Sequence, residues 1–325
     1  MNFQGLSKIE KADWYIDVAF HAATKKAGEA RSGSSGTRLD KSKAIEQAKI
    51  SEIHAVLRKH LMQILISYPS IDGLPEFYQQ LIKTTLEYET LKKALGAVKW
   101  AVDKTDLIFN HYKTELKRTN DLQKVNALRR EYYGRSSSVI KTIKKDLEYL
   151  EMSRRTMKEF PAIKQNIFTI CIAGFPNIGK TTLLTKITTA KPEIAAYAFT
   201  TKKLNVGYMQ TEYAKVQVID TPGTLNRFEK MNTIEQQAYL AIKYCADLVV
   251  YIFDLSEPFP LEDQRKLFNE LKKSNKPMII YVSKTDILEK KLVDNFKKEF
   301  DTKSKIQIYT SIKDIKAEIE KRSKE

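Results

Sequence analysis

The chain has 325 residues, 42% of them hydrophobic, and 56 Lys and Arg against 40 Asp and Glu give a net charge of +16. That length suits two domains with real cores, and the basic balance suits a polyanion such as RNA or DNA, although a solvated lysine-rich surface gives the same number. Two cysteines exclude a disulfide framework, four scattered histidines follow no metal-ligand pattern, and no secretory leader, lipid anchor or membrane-length apolar run is visible, so a cytoplasmic monomer away from membranes is expected.

Residues 1–165 carry 30 Lys and Arg and 20 Asp and Glu, with few glycines or prolines. Apolar residues recur three and four apart, which marks one face of a helix. Ile53, Val56, Leu57, Leu61, Ile64 and Leu65 form one such stripe. Leu81, Ile82, Leu86, Tyr88, Leu91, Leu95 and Val98 place further helix between Gln79 and Leu116, and Val139, Ile143, Leu147, Leu150 and Met152 place another that ends before Pro161. The expectation for 1–165 is an antiparallel bundle of three to five helices, broken at 28–36 and 68–73. The segment from Ala30 to Arg38 is rich in Gly and Ser, carries Arg31 and Arg38, and follows Lys25 and Lys26. It reads equally as a plain linker or as a loop that orders on a phosphate backbone. A second basic stretch sets Arg129, Arg130 and Arg135 beside Tyr132 and Tyr133. It offers phosphate contacts and stacking faces for unpaired bases, or else an ordinary solvated helix face with internal ion pairs.

From residue 166 onward short apolar runs alternate with helical stretches: Ile167–Ala173, Lys203–Thr211, Ala214–Ile219, Leu248–Phe253, Met278–Val282 and Ile306–Tyr309. Residues 166–325 therefore read as a mostly parallel sheet covered by helices on both faces, with ligands at the carboxyl ends of the strands. The first run leads into Gly174-Phe175-Pro176-Asn177-Ile178-Gly179-Lys180-Thr181, a glycine, four residues and Gly-Lys-Thr between strand and helix. This is the pattern of a phosphate-binding loop. Backbone N–H groups from Phe175, Pro-following Asn177, Ile178 and Gly179 through Thr182 would face the phosphates, with Pro176 shaping the loop. Lys180 would reach the terminal phosphates and Thr181 would hold Mg2+.

Four later pieces complete the nucleotide site. Thr201, with Thr200 beside it, is placed to reach Mg2+ and sense the third phosphate. Asp220, ending an apolar run before Thr221-Pro222-Gly223, can hold a Mg2+-bound water, while the Gly223 N–H can bond the terminal phosphate. Lys180, Thr201 and Gly223 are the catalytic candidates for in-line attack by water, and no side chain suggests itself as a general base. In Ser283-Lys284-Thr285-Asp286, the last carboxylate can accept both N1–H and the 2-amino group of guanine, a donor pair that adenine lacks. The Lys284 stem can lie over the base, and Ser311-Ile312 can supply a backbone N–H to guanine O6. GTP and GDP are the expected ligands.

These five ordered pieces resemble the translation-factor-related GTPases of the Obg/Nog branch, and the Nog family of nucleolar GTP-binding proteins in particular. Outside the nucleotide motifs, Ala196-Tyr197-Ala198-Phe199-Thr200-Thr201-Lys202, Asn232-Thr233-Ile234-Glu235 and Asp254-Leu255-Ser256-Glu257 look like family stretches. In the helical half Tyr68-Pro69, Phe77-Tyr78, Leu95-Gly96, Tyr133-Gly134-Arg135 and Leu147-Glu148-Tyr149-Leu150-Glu151 do so too. The resemblance implies a GTPase acting in assembly of the large ribosomal subunit, with pre-ribosomal particles as partners and the helical region on ribosomal RNA. It looks like an archaeal form without the long C-terminal extension of eukaryotic members. Two departures bear on chemistry. Ser283 stands where the guanine motif usually has Asn, and Thr224 stands where signalling GTPases carry a water-positioning Gln. Hydrolysis is therefore expected to be slow, and a GTP-bound RNA scaffold with negligible hydrolysis is the alternative. By resemblance, Asn177 also suggests a K+ ion near the leaving phosphates.

Overall fold

The structure, a computed structural model, describes residues 3–33, 35–188, 204–221, 233–256, 259–303 and 306–324. The chain forms two compact units: residues 2–73 with 86–160 in one, and residues 74–85 with 161–325 in the other.

The first unit is helical. It contains α1 (Ala12–Gly33), α2 (Arg38–Ser67), and, past a 3-10 turn at Ile71–Gly73, three more helices. Their apolar spacing decides their packing. On α2, Ile50, Ile53, Leu57, Leu61 and Ile64 are buried at steps of three and four. A capping box starts α2: Thr37 Oγ1 accepts from the Asp40 N–H at 3.2 Å, and the Asp40 carboxylate accepts from the Thr37 N–H at 3.1 Å. The expected break at 28–36 is therefore shorter than its glycines suggest. α1 continues through Gly28 to Gly33, and Arg31 is helical, not part of a loop.

The helix expected between Gln79 and Leu116 is two helices. The element labelled α3 (Glu76–Thr85) ends before Leu86, and α4 (Tyr88–Arg118) begins after Glu87. Likewise the run from Val139 to Met152 breaks at Ile143, between α5 (Leu122–Thr142) and α6 (Lys144–Lys158). In each case the apolar stripe runs through the break, so periodicity alone could not reveal it. Cross-helix pairs fix the directions. His54 and Arg58 of α2 meet Asp106 of α4 while Lys43 reaches the Lys117 carbonyl, so these helices are antiparallel. Tyr132 of α5 donates to the Ile50 carbonyl at 3.1 Å, and Arg129 reaches Glu46 at 3.5 Å, so α5 runs alongside α2.

The second unit is built on a six-stranded sheet of order β2-β3-β1-β4-β5-β6. The strands are β1 (Thr169–Ala173), β2 (Asn205–Gln210), β3 (Lys215–Asp220), β4 (Leu248–Asp254), β5 (Met278–Ser283) and β6 (Ile308–Tyr309). All pairings are parallel except β2 with β3. Both β1 and β4 are buried along their whole length, as strands covered on two faces must be. The covering helices include α7 (Lys180–Ile187), α8 (Thr233–Cys245), α9 (Leu261–Lys272), α10 (Lys290–Lys303) and α11 (Ile312–Arg322). β1 lies between β3 and β4, where the chain order reverses, and its carboxyl end is the crevice where such sheets hold ligands.

One helix of this unit comes from inside the first half of the sequence. α3 packs on α8, and its face buries Phe77, Tyr78, Leu81 and Ile82. The Tyr78 hydroxyl donates to the Pro161 carbonyl at 2.9 Å and accepts from the Ile163 N–H at 2.9 Å, clamping α3 to the chain that enters β1. The partition of contacts thus differs from a division at residue 165.

Candidate functional site

The phosphate loop begins where β1 ends. Gly174 has φ of +144°, and a Cβ there would lie 2.4 Å from Ile178 Cδ1 and 2.9 Å from the Ile252 carbonyl oxygen. No other residue fits that approach. Asn177 at φ +59° and Gly179 at φ +96° complete a loop with three positive-φ residues, and Gly179 caps the start of α7. Such a curl turns successive N–H groups toward one point beside the positive end of the helix. Phe175 and Ile178 are buried side chains, Phe175 against the Phe259 ring at 5.1 Å, so their share in ligand binding is carried by backbone.

Lys180, the first residue of α7, is only 7% exposed. Its ammonium donates to the Phe175 carbonyl at 2.5 Å. Burial pulls its pKa down to about 8, against the opposing pull of the Asp220 carboxylate. Asp220 ends β3 and is itself buried. Burial raises its pKa, while donors from Thr181 and Asn205 and the Lys180 charge act the other way. Thr181 Oγ1 donates to Asp220 Oδ2 at 2.8 Å, and Asn205 Nδ2 donates to the same oxygen at 3.2 Å. Asp220 Oδ1 is buried with no hydrogen-bond partner among the described residues. A hydroxyl and a half-satisfied carboxylate beside a phosphate loop are the oxygen donors a hard cation takes, so these residues fit Mg2+ directly or through its water.

A cleft of about 490 Å3 joins this loop to the base-recognition segment. Asn177, Gly179, Lys180, Thr181 and Thr182 line one end. Tyr281, Ser283, Lys284, Thr285 and Asp286 line the other, with Ile312 alongside. Asp286 is exposed at the lip and makes no hydrogen bond or ion pair among the described residues, which leaves its carboxylate open to a ligand. Ser283 is buried, and its hydroxyl donates to the Phe253 carbonyl at 3.3 Å, not to the phosphate loop. Ser311 caps α11, its oxygen accepting from the Lys313 N–H at 3.2 Å, which aims the start of that helix at the cleft where Ile312 sits. Thr200, Thr201, Gly223 and Thr224 lie outside the described residues. Sequence reasoning missed Asn205, whose only signal is its place at the head of a strand opposite Asp220.

The basic residues singled out in the helical unit lie on α1, α2 and α5. Lys25, Lys26 and Arg31 lie exposed on α1, with Lys26 paired to Glu29 at 2.8 Å, and Arg38 opens α2. Arg129 is tied to Glu46, Arg130 is exposed, and the Arg135 guanidinium lies 5.7 Å from the Tyr112 ring centre. Tyr132 corrects the expectation of stacking. Tyr132 is 1% exposed and bonded to the α2 backbone, so it offers no free face, while Tyr133 is half-buried and in T-shaped contact with the Phe20 ring at 4.8 Å. Among the described residues no helix is long and apolar enough to cross a membrane, and no cluster of His, Cys, Asp and Glu could hold a metal ion.

Comparison with known proteins agrees with this architecture. Residues 3–164 match the NOG1 N-terminal helical domain, and residues 169–284 match the 50S ribosome-binding GTPase family. An uncharacterized protein of Methanocaldococcus jannaschii, MJ1408, is 33% identical over 90% of this chain and 83% of its own length. Nucleolar GTP-binding protein 1 of Drosophila melanogaster is 33% identical over 88% of this chain, which spans 44% of that longer protein. Among solved structures, Era in complex with MgGDPNP and a segment of 16S ribosomal RNA is similar at 23% identity, with a TM-score of 0.38 over 50% of this chain and 57% of that one.

Proposed function

The chain belongs to the Nog family of GTP-binding proteins, and from that footing we propose that it is a slow, Mg2+-dependent GTPase of large-subunit ribosome assembly that docks on ribosomal RNA through its helical unit. One observation carries the nucleotide part. The buried Lys180 ammonium and the Asp286 carboxylate, which has no hydrogen-bond or ion-pair partner among the described residues, occupy opposite ends of the same cleft, one matched to phosphate and the other to guanine. Lys180 and the N–H groups of the loop would hold the β- and γ-phosphates in line with an attacking water. Bound Mg2+, held by Thr181 and Asp220 with Thr201, would neutralise charge developing on those oxygens. Gly223 would donate its N–H to the third phosphate. Asp286 sets the base, because adenine would leave that carboxylate without donors.

Titration calorimetry with Mg2+ tests this reading: micromolar GTP and GDP with adenine nucleotides about a hundredfold weaker supports it, and adenine preference removes it. Asn177, exposed at φ +59° on the rim of the cleft, is the residue that would help hold K+ near the phosphates. Hydrolysis should then run faster in KCl than in NaCl, and Asn177→Ala should erase the difference. The basic charge of the helical unit and the family relationship support the RNA part. Crosslinked RNA from cell extract should be enriched in large-subunit sequence. Thr224 in place of a glutamine favours a second reading, a GTP-bound RNA scaffold without turnover. Single-turnover assays decide between the two: stimulation by large-subunit particles supports the enzyme, and no turnover under any condition supports the scaffold.

A further inference from the structure

At the carboxyl end of β4, Asp254 is completely enclosed, with 0% of its surface exposed. A carboxylate in that position is costly unless it is paired and hydrogen-bonded. Its partners are specific. Lys284 Nζ forms an ion pair with Oδ2 at 2.6 Å, although Oδ2 accepts no hydrogen bond among the described residues, and Oδ1 accepts from the Ser256 N–H at 3.0 Å and the Ser256 hydroxyl at 2.6 Å. The backbone of Asp254 is fixed as firmly as its side chain. Gln264, also 0% exposed, accepts from the Asp254 N–H at 3.0 Å and donates to the Asp254 carbonyl at 3.0 Å and the Phe259 carbonyl at 2.9 Å. The Tyr251 hydroxyl in turn donates to the Gln264 carbonyl at 2.6 Å.

Lys284 itself is unusual. It has φ of +54°, a left-handed conformation that a lysine does not choose without a reason. It also lines the cleft next to Asp286. Asp254 and Ser283 are register partners across β4 and β5, so the base-recognition loop leaves the sheet directly beside the buried carboxylate. Two successive residues of that loop are thereby tied to β4: Ser283 to the Phe253 carbonyl and Lys284 to Asp254. Phe259, held by Gln264, leans on Phe175 of the phosphate loop. The bracing that an asparagine at 283 would give across to the phosphate loop is here routed through the end of β4.

We propose that Asp254 is a positioning residue for guanine recognition: its enclosed carboxylate anchors the Lys284 head group, which sets the Lys284 stem along the base and the turn that presents Asp286. The inference rests on the guanine-binding reading above and names a determinant of that specificity outside the recognised loop.

The test is a double-mutant cycle on the full chain with a fluorescent GDP analogue and Mg2+, and with ADP as competitor. Asp254→Asn and Lys284→Ala should each weaken GDP about tenfold while leaving the weak ADP affinity alone, and the double variant should be no worse than Lys284→Ala. Lys284→Gln, which keeps a donor and a stem, should recover part of the loss. Full additivity of the two substitutions, or an equal loss of GDP and ADP in Asp254→Asn, overturns the proposal. Should Asp254→Asn not fold, Ser256→Ala loosens the same carboxylate, and a loss of GDP affinity of about threefold is expected; no loss overturns the proposal equally. A wild-type protein that binds no guanine nucleotide would instead remove the functional reading beneath it.

Discussion

The phosphate loop packs three positive-φ residues into six positions around an ammonium that is almost entirely enclosed. The helical unit spreads its positive charge over α1, α2 and α5 on exposed side chains, several of them paired with a neighbouring carboxylate. The first region holds a left-handed backbone curl and a desolvated charge in the free protein, and a bound phosphate would give that charge a stronger partner. The second holds charge at almost no cost, because water already satisfies it. Such a curl and such burial therefore mark a site committed to one ligand chemistry, whereas a solvated basic surface supplies a field that any polyanion feels.

The sharpest way to break that contrast is Lys180→Met. Nucleotide affinity should fall about a hundredfold or more, yet the free protein should melt no lower than wild type, since an enclosed charge has been removed. A lower melting point would mean that Lys180 stabilises the empty loop. Next comes Gly174→Ala, whose new Cβ meets Ile178 and the Ile252 carbonyl. It should cost about 2–3 kcal/mol in denaturant unfolding.

Proton linkage gives a third, smaller effect. The folded pKa of Lys180, about 8, lies below its ordinary 10.5. The unfolded chain thus holds more protons between those values, so this residue's contribution makes the free protein more stable as pH rises through that window. Phosphate prefers the ammonium form, so GTP affinity should fall about tenfold between pH 7 and pH 9, with proton uptake on binding seen as a buffer-dependent enthalpy. A flat profile would mean that the loop binds phosphate by backbone alone. The smallest effect belongs to the other region. Arg130→Ala should lower RNA affinity without sequence preference and reduce the logarithmic salt slope by about one unit, while Tyr133→Leu should leave RNA affinity unchanged. A larger loss from Tyr133→Leu would restore the stacking role that its contact with Phe20 argues against.

How much of this was legible in the sequence follows the same division. The loop from Gly174 to Thr181 declares itself because its chemistry requires particular residues at fixed spacing, and the structure puts them at the carboxyl end of β1. Asp286 was singled out for the same reason, and it lines the cleft at the end opposite Lys180. Asp254, Gln264 and Asn205 were not, because each acts through neighbours distant in sequence: Lys284, the Asp254 backbone and Asp220. In the helical unit the stripes gave the helices, but the ends at Leu86 and Ile143 stayed hidden, since neither Gly nor Pro marks them and apolar spacing persists through both. Arg31 was misplaced because its glycine-rich neighbours imitate a loop, although α1 carries on to Gly33.

α3 has a consequence for how the molecule is made. Its apolar face, Phe77, Tyr78, Leu81 and Ile82, leaves the ribosome well before Pro161, Ile163 and α8 have been synthesised. During translation that face has no partner, so the nascent chain carries a sticky patch that chaperones or the growing bundle must shield. A fragment beginning after residue 165 would meet the mirror problem: α8 would stand bare for want of a helix encoded earlier, and it should recover solubility when residues 74–85 are supplied in trans.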